Sequence, residues 1–320
     1  MKKILIVSIA LFLWGIQKGP AQNYMSYYQT INRAEIASLD REYQRSDSLY
    51  QVAFELVGKP FKDDCLLAAI NSEKLNWNEQ TYGYLKKGIS VGLRIKSIKK
   101  HLSRFKKSGE WKSLKKDYES LREQYLQSLN LALREELMKM VDKDQAIRHP
   151  IFGNSKKQRS LANKQYSQLL EIIKENNGKW PGRFTIGDGN EGGKYAVGEV
   201  TIMLHHFSTE QVNNLRAVLV EAVRIGDLSP YNVAYPLDYK NSKHIEKIYT
   251  NKKKTIGYYN DCFRIGVYRY KNGDPIVICD CEKAEEERKK LGLEPLEDYY
   301  RKRNTAYECY EEKVTVGSKQ

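Results

Sequence analysis

A helical spacing of apolar residues, arranged in pairs over residues 27–92, is the feature that most constrains the fold. In the first pair, small or apolar residues recur at helical intervals until a Gly-Lys-Pro stop at residues 58–60. A second pair of predicted helices has the same spacing of small and apolar residues, with Ala53 and Gly88 at equivalent places 35 residues apart. The spacing predicts amphipathic helices packed as hairpins.

The period resembles that of tetratricopeptide-like helix pairs, which repeat about every 34 residues. The resemblance covers about two repeats, and such units need about three to bury a continuous face, so the next helix must act as a cap. That helix is predicted over residues 110–148 with a break near Asn130, where we place a domain boundary. The chain is thereby divided into a tetratricopeptide-like helical domain (22–130), a mostly helical domain (131–312) and a disordered tail (313–320).

The second domain is predicted to be helical with one small antiparallel β-hairpin. Helices are expected over residues 158–175, 195–207 and 208–225, the last capped by Ser208 or Thr209 with Gln211 able to close a capping box, and two more close the chain. Between them, "FRIGVYRYKNGDPIVICDC" alternates like two strands joined at Asn272 and Gly273, a two-residue turn signal. The predicted fold class is therefore mostly α.

The first residues, "MKKILIVSIALFLWGIQKGPA", have the composition of a secretory signal peptide. A basic start precedes an apolar run over residues 4–16, which is too short to span a bilayer comfortably. We therefore expect a leader over residues 1–21, a periplasmic or secreted protein and no membrane span in the mature chain. Export permits disulfides, and the odd number of cysteines, five, leaves at least one thiol outside an intramolecular pair.

Positive charge is concentrated in one segment. The whole chain carries +14, the leader contributes three lysines, and residues 86–116 hold twelve Lys or Arg against one acid, Glu110. Apolar residues interleave with the cations, which predicts a helix that packs one face and exposes the other. The expected binding surface comprises Lys96, Lys99, Lys100, Arg104, Lys106 and Lys107.

Such a surface usually indicates nucleic-acid binding, but export argues against that partner. Anionic lipid, an anionic envelope polymer and an acidic envelope protein or peptide remain as partners, beside a merely solvated face.

Two adjacent histidines, His205 and His206, end the apolar run "TIMLHHF". Neighbouring residues on a helix point about 100° apart, so both cannot serve one small site. One is expected to pack and the other to be available for chemistry. Metal-binding helices place histidines three or four residues apart, so the pair predicts no metal site.

Five short motifs between residues 133 and 300 together resemble an uncharacterised bacterial domain-of-unknown-function family. They are "DQAIR", "WPG", "IMLHHF", "RIGDLSPYNVAYPLD" and "ERKKLGLEPLEDYY", in the family's order of D-Q-x-x-R, W-P, Q-H, A-x-L-x-D-R and G-L-x-x-L-x-x-Y. His205 stands where the family usually has Gln, and Tyr239 where it usually has Arg. The resemblance marks Asp144, Gln145, Arg148, Trp180, Pro181, His206 and Asp238.

The glycine-rich stretch "GDGNEGG" over residues 187–193 matches the nucleotide-binding pattern GxGxxG in sequence but not in its surroundings. Its two acids repel phosphate and no βαβ unit surrounds it, and as a calcium loop it lacks one oxygen ligand. We expect no cofactor.

Two functional hypotheses remain. The first is an exported scaffold that binds a peptide or protein through the helical front part. The second is a hydrolase-like enzyme in which Asp144, Arg148, His206 and Asp238 converge, with Gln145, Trp180 and His205 lining the pocket. Taken alone, Asp144 with Arg148 also fits a surface ion pair, and Asp238 a turn residue.

Overall fold

The computed structural model describes residues 22–148, 155–188, 197–251, 254–267 and 276–309. The predicted leader, the turn at Asn272 and Gly273, most of the glycine-rich stretch and the tail over residues 313–320 lie outside the described residues.

The described chain is mostly helical, which confirms the predicted fold class. Up to the predicted boundary, the front part contains α1 (Tyr24–Leu39), α2 (Tyr43–Glu55), α3 (Lys62–Lys74), α4 (Asn78–Ile89), α5 (Ile95–His101), a 3-10 turn (Phe105–Lys107) and α6 (Gly109–Gln127). The next helix, α7 (Leu131–Ile147), begins the back part. The back part contains α8 (Ser155–Glu175), α9 (Arg183–Ile186), a 3-10 helix (Val197–His205), α10 (Thr209–Arg224), α11 (Pro230–Lys240), α12 (Cys281–Lys290) and α13 (Leu296–Arg303).

The first four helices pack as two hairpins, α1 with α2 and α3 with α4. Ala53 and Gly88 lie at matching places in the second helix of each pair, and both are buried. Polar contacts also join the two hairpins through α2. Asn71 in α3 donates a hydrogen bond to the carbonyl of Tyr43 at 2.8 Å, and the hydroxyl of Tyr84 in α4 lies 3.1 Å from a carboxylate oxygen of Asp47. Helix α6 then packs on α4, in the place predicted for a capping helix.

Two predicted helix boundaries are confirmed at atomic detail. Asn130 ends the α6–α7 connection and caps α7, since its side chain accepts a hydrogen bond from the amide of Leu133 at 3.0 Å. Before α10, Ser208 and Gln211 form the complete reciprocal capping box.

The predicted domain boundary near residue 130 is crossed by the core. Helix α1 packs on α10 and α13, and the Tyr28 hydroxyl donates to the carbonyl of Val223 at 2.9 Å. Asn32 in α1 likewise donates to Asp298 in α13 at 2.6 Å. The buried apolar residues of both parts form one cluster, so the front helices cover the core of the back part.

The antiparallel hairpin lies earlier in the chain than the turn signal predicted. It is formed by β1 (Lys243–Asn251) and β2 (Lys254–Cys262), whose connection contains neither Gly nor an Asn-Gly pair. The short strand β3 (Ile276–Ile278) runs parallel to β4 (Tyr307–Cys309). Phe263 also pairs with Ile278 in parallel, whereas the sequence predicted antiparallel pairing for the segments flanking Asn272 and Gly273, and the residues next to that turn lie outside the described ones.

Disulfides fix the C-terminal strands to the helices. Cys281, the first residue of α12, is bonded to Cys309 in β4, with Cα atoms 5.7 Å apart, and Cys279 is also in a disulfide. Cys65 is a buried free thiol, so at least one cysteine stays unpaired as predicted. Among the helices of the described ranges, none combines the length and the apolar composition required to cross a bilayer.

Candidate functional site

The sequence-predicted residues of α7 meet the histidine helix at a single buried carboxylate, Asp144. Its side chain is fully buried and accepts hydrogen bonds from Arg148 at 2.8 and 3.1 Å and from Gln145 at 2.9 Å. Nδ1 of His206 lies 2.6 Å from Oδ2, the oxygen that accepts from Gln145, but it is not aligned for a hydrogen bond. We call these four residues the Asp144 cluster. The 3-10 helix at Val197–His205 packs on α7 and so brings His206 to this position.

The charge of Asp144 is set by its neighbours. Burial alone would raise the pKa of its carboxyl, but the neighbouring His206 and Arg148 outweigh burial, and the pKa lies below its ordinary value. Asp144 is therefore ionised at neutral pH.

His205 contacts a different set of residues. Its ring centroid lies 5.3 Å from that of Tyr235 and 5.6 Å from that of Tyr239, both in α11. Burial, the neighbouring His206 and Lys240 together lower the pKa of His205 to about 4, so it is neutral at pH 7. It lines a cavity of about 260 Å³ with Tyr231 and Tyr235. The two histidines thus have different neighbours, although His205 ends a 3-10 helix and His206 follows it, where the sequence predicted an α-helix through both.

The structure places the remaining predicted pocket residues elsewhere. Asp238 is not in a turn but is fully buried in α11, where its two oxygens accept the amides of Ile265 and Val267, each at 2.8 Å. It thereby holds the chain after β2. Trp180 is fully buried in the core. Of the four proposed catalytic residues, the structure brings Asp144, Arg148 and His206 together. Asp238 instead binds backbone amides after β2.

The predicted basic surface is present on the front part. All six cations that define it, Lys96, Lys99, Lys100, Arg104, Lys106 and Lys107, are exposed, and none has an acidic partner within the described ranges. Ile98, Leu102 and Phe105 from the same segment are fully buried. The charged ends of these side chains therefore face solvent.

An acid-lined cavity between the front and back parts was not predicted from the sequence. It has a volume of about 400 Å³, and its walls come from α1, α3, the start of α11 and the segment before α13. Its acids are Glu35, Asp63, Asp64, Asp188 and Glu294. They are scattered over 260 positions of a basic chain and share no motif, so only the fold brings them together.

The described residues contain no group of three or more His, Cys, Asp or Glu placed to hold a metal ion. The chain matches no protein-family model, no curated protein and no solved structure with which it was compared.

Proposed function

We propose that the protein is an exported, non-enzymatic scaffold that binds an acidic peptide or protein segment through the basic surface. The observation that carries the proposal is the exposure of six cations without acidic partners on a segment fixed to the core. The leader-like first residues and the disulfides at Cys279 and Cys281 support export, because disulfides persist in oxidising compartments.

The anchoring of the segment favours a protein partner over a membrane. A helix that inserts into a bilayer exposes its apolar face to the lipid. Here Ile98, Leu102 and Phe105 face the core and are fully buried, so these apolar side chains cannot contact a partner and binding to this surface depends on its charges. Charge alone suits an acidic chain, for which steering and complementarity set the rate and the specificity of binding.

We expect reversal of four charges on the basic surface to weaken this binding. In a variant with Lys96, Lys99, Lys100 and Lys107 changed to Glu, the affinity for a fluorescent ten-residue glutamate peptide should fall at least about tenfold at physiological salt. The measurement is fluorescence anisotropy with the purified protein, repeated at several salt concentrations. Wild-type affinity should decline as salt rises, because the cations are exposed and therefore screened.

A matched variant separates a local surface from net charge. Lys143, Lys164, Lys179 and Lys289 are exposed and belong to other parts of the molecule, and their change to Glu alters net charge by the same amount. It should shift the affinity less than about threefold. If both variants lose the same affinity, or if vesicles with anionic lipid bind the wild type while the peptide does not, the proposal fails.

A second function is favoured by the Asp144 cluster. The imidazole of His206 lies beside a buried, ionised carboxylate, as in many general bases, and Arg148 supplies positive charge beside the same carboxylate. The side chain of His206 is 22% exposed, so a substrate can reach it. We infer, as the alternative function, a hydrolase-like reaction in which His206 takes a proton from water, the water oxygen bonds to the carbon or phosphorus of an ester or phosphoester, and the bond to the alcohol breaks as His206 returns the proton to the leaving oxygen.

The adjacent histidine provides the control for this alternative. If the protein hydrolyses a panel of chromogenic esters and phosphoesters, His206→Gln should lower the rate at least about 100-fold, the usual contribution of a general base. His205→Gln should keep most of the activity, since His205 contacts Tyr235 and Tyr239. Equal loss in both variants, or no turnover by the wild type, would exclude His206 as a base for these substrates.

A further inference from the structure

We propose that the acid-lined cavity between α1, α3 and α11 binds a primary alkylammonium group, either of a short diamine or of a lysine side chain. The site is separate from the basic surface and from the Asp144 cluster, and the proposal does not depend on either.

The walls of the cavity suit a short aliphatic cation. Aromatic rings are supplied by Tyr28, Phe61 and Tyr231, and aliphatic surface by Ile31 and Leu67. A volume of about 400 Å³ lies at the small end of the usual range of ligand sites. An alkyl chain can pack on these side chains, and rings beside an ammonium group add cation–π attraction.

The charge of the cavity is opposite to that of the whole chain. Five acids and two lysines line it, in a protein with a net charge of +14. Lys302 lies between Glu35 at 2.5 Å and Glu294 at 2.9 Å, and Lys62 lies 3.1 Å from Asp188. These pairs account for three of the acids and both lysines. Asp63 lies at the longer distance of 3.9 Å from Lys62, and Asp64 has no lysine partner among the described residues, so five acids against two lysines leave negative charge for a cation from outside.

Two side chains of the cavity each have one oxygen that accepts no hydrogen bond from the described residues, a buried oxygen in Asn32 and an oxygen of the partly exposed Asp64. Asn32 is only 8% exposed, and its amide nitrogen donates to Asp298, but its Oδ1 has no hydrogen-bond partner. In Asp64, Oδ2 accepts from the Tyr27 hydroxyl at 2.5 Å, and no described donor reaches Oδ1. A buried acceptor without a donor is costly. An ammonium group carries three donors and no acceptor, so it complements both oxygens.

The same chemistry disfavours a metal ion. The acids do not form a group that could hold a metal among the described residues, and most of them are already engaged by lysine. A cation that binds here must therefore be satisfied by one free carboxylate, an amide oxygen and aromatic walls. This set fits an organic ammonium.

The affinity should depend on the ionisation of Asp64. Burial, followed by the negative charge of Glu35, raises the pKa of Asp64 to about 7. The titratable and charged groups around this carboxyl are Tyr27, Glu35, Asp63, Cys65 and Arg183. Only the ionised form attracts an ammonium group strongly, so binding should strengthen by about tenfold between pH 6 and pH 8, where the amine itself stays charged.

The test is calorimetry of the purified protein with 1,5-diaminopentane and with N-acetyl-lysine methylamide at pH 8. At least one amine should bind with Kd below about 1 mM. Binding of the diamine alone would assign the site to free diamines, and binding of the lysine derivative would assign it to peptides. N-acetyl-norleucine methylamide has the same aliphatic chain without the ammonium group and should not bind.

Two variants locate the binding in the cavity. Asp64→Asn should weaken it at least about tenfold, whereas Asp142→Asn, an exposed acid in α7, should change it less than about twofold. Leu67→Trp enlarges a wall residue that is 40% exposed, so it should weaken binding without disturbing the core. The proposal is overturned if neither amine binds, if norleucine binds equally well, or if Asp64→Asn and Leu67→Trp both bind like wild type.

Discussion

Replacement of Gly226 by Ala is expected to lower the free energy of unfolding by about 3–4 kcal/mol. Gly226 has φ +75°, and a Cβ atom built on it would lie 2.2 Å from the ring of Tyr24. That ring cannot move easily, because its hydroxyl donates to the carbonyl of Lys59 at 2.7 Å and contacts Arg183. The left-handed backbone costs about 1–2 kcal/mol, and the clash adds a cost typical of an overpacked core.

Gly178→Ala provides a matched control. Gly178 has nearly the same φ, +74°, but a Cβ atom there would meet nothing within 4 Å. Its replacement should therefore lower the free energy of unfolding only by the cost of the left-handed backbone, about 1 kcal/mol. Urea unfolding followed by circular dichroism measures both values. If the two variants differ by less than about 0.5 kcal/mol, α1 does not pack on the end of α10 as the structure shows.

The helices were predictable because their signals are local. The break at Asn130, the capping box at Ser208 and the stop at Gly226 each depend on residues within one turn. The hairpin of β1 and β2 was missed because its connection has no Asn-Gly pair, while the Asn272–Gly273 signal drew the prediction to a later segment.

The candidate site was predictable in part, for a similar reason. Asp144, Gln145 and Arg148 lie within one turn of α7, so their mutual contacts follow from helix spacing. Their contact with His206 depends on how the 3-10 helix packs, and the motif resemblance rather than periodicity suggested it. Asp238 was misplaced because two prolines, Pro230 and Pro236, concealed α11. The acid-lined cavity has no local signal at all.

Arg183→Met should lower the free energy of unfolding by about 4 kcal/mol, the largest effect that we expect from a single side chain. Arg183 is 5% exposed, and its guanidinium donates to the carbonyls of Pro60 at 2.9 Å, Gly226 at 2.5 Å and Lys59. Methionine keeps the volume but leaves these acceptors without donors, each at a cost of about 1–3 kcal/mol that partial relaxation reduces. The guanidinium also lies 4.0 Å from the centroid of the Phe61 ring, a contact that methionine only partly replaces.

The same experiment tests whether the front helices are a separate domain. Arg183 in the back part contacts residues 59 and 60 between α2 and α3, so its loss should destabilise both parts together. Near- and far-ultraviolet circular dichroism should give coincident transitions in the wild type and in Arg183→Met. Arg224→Met removes an exposed arginine paired with Glu221 and should leave the curve close to wild type. Two separate transitions in the wild type would show that residues 22–130 fold independently, and the basic surface could then be studied on that fragment alone.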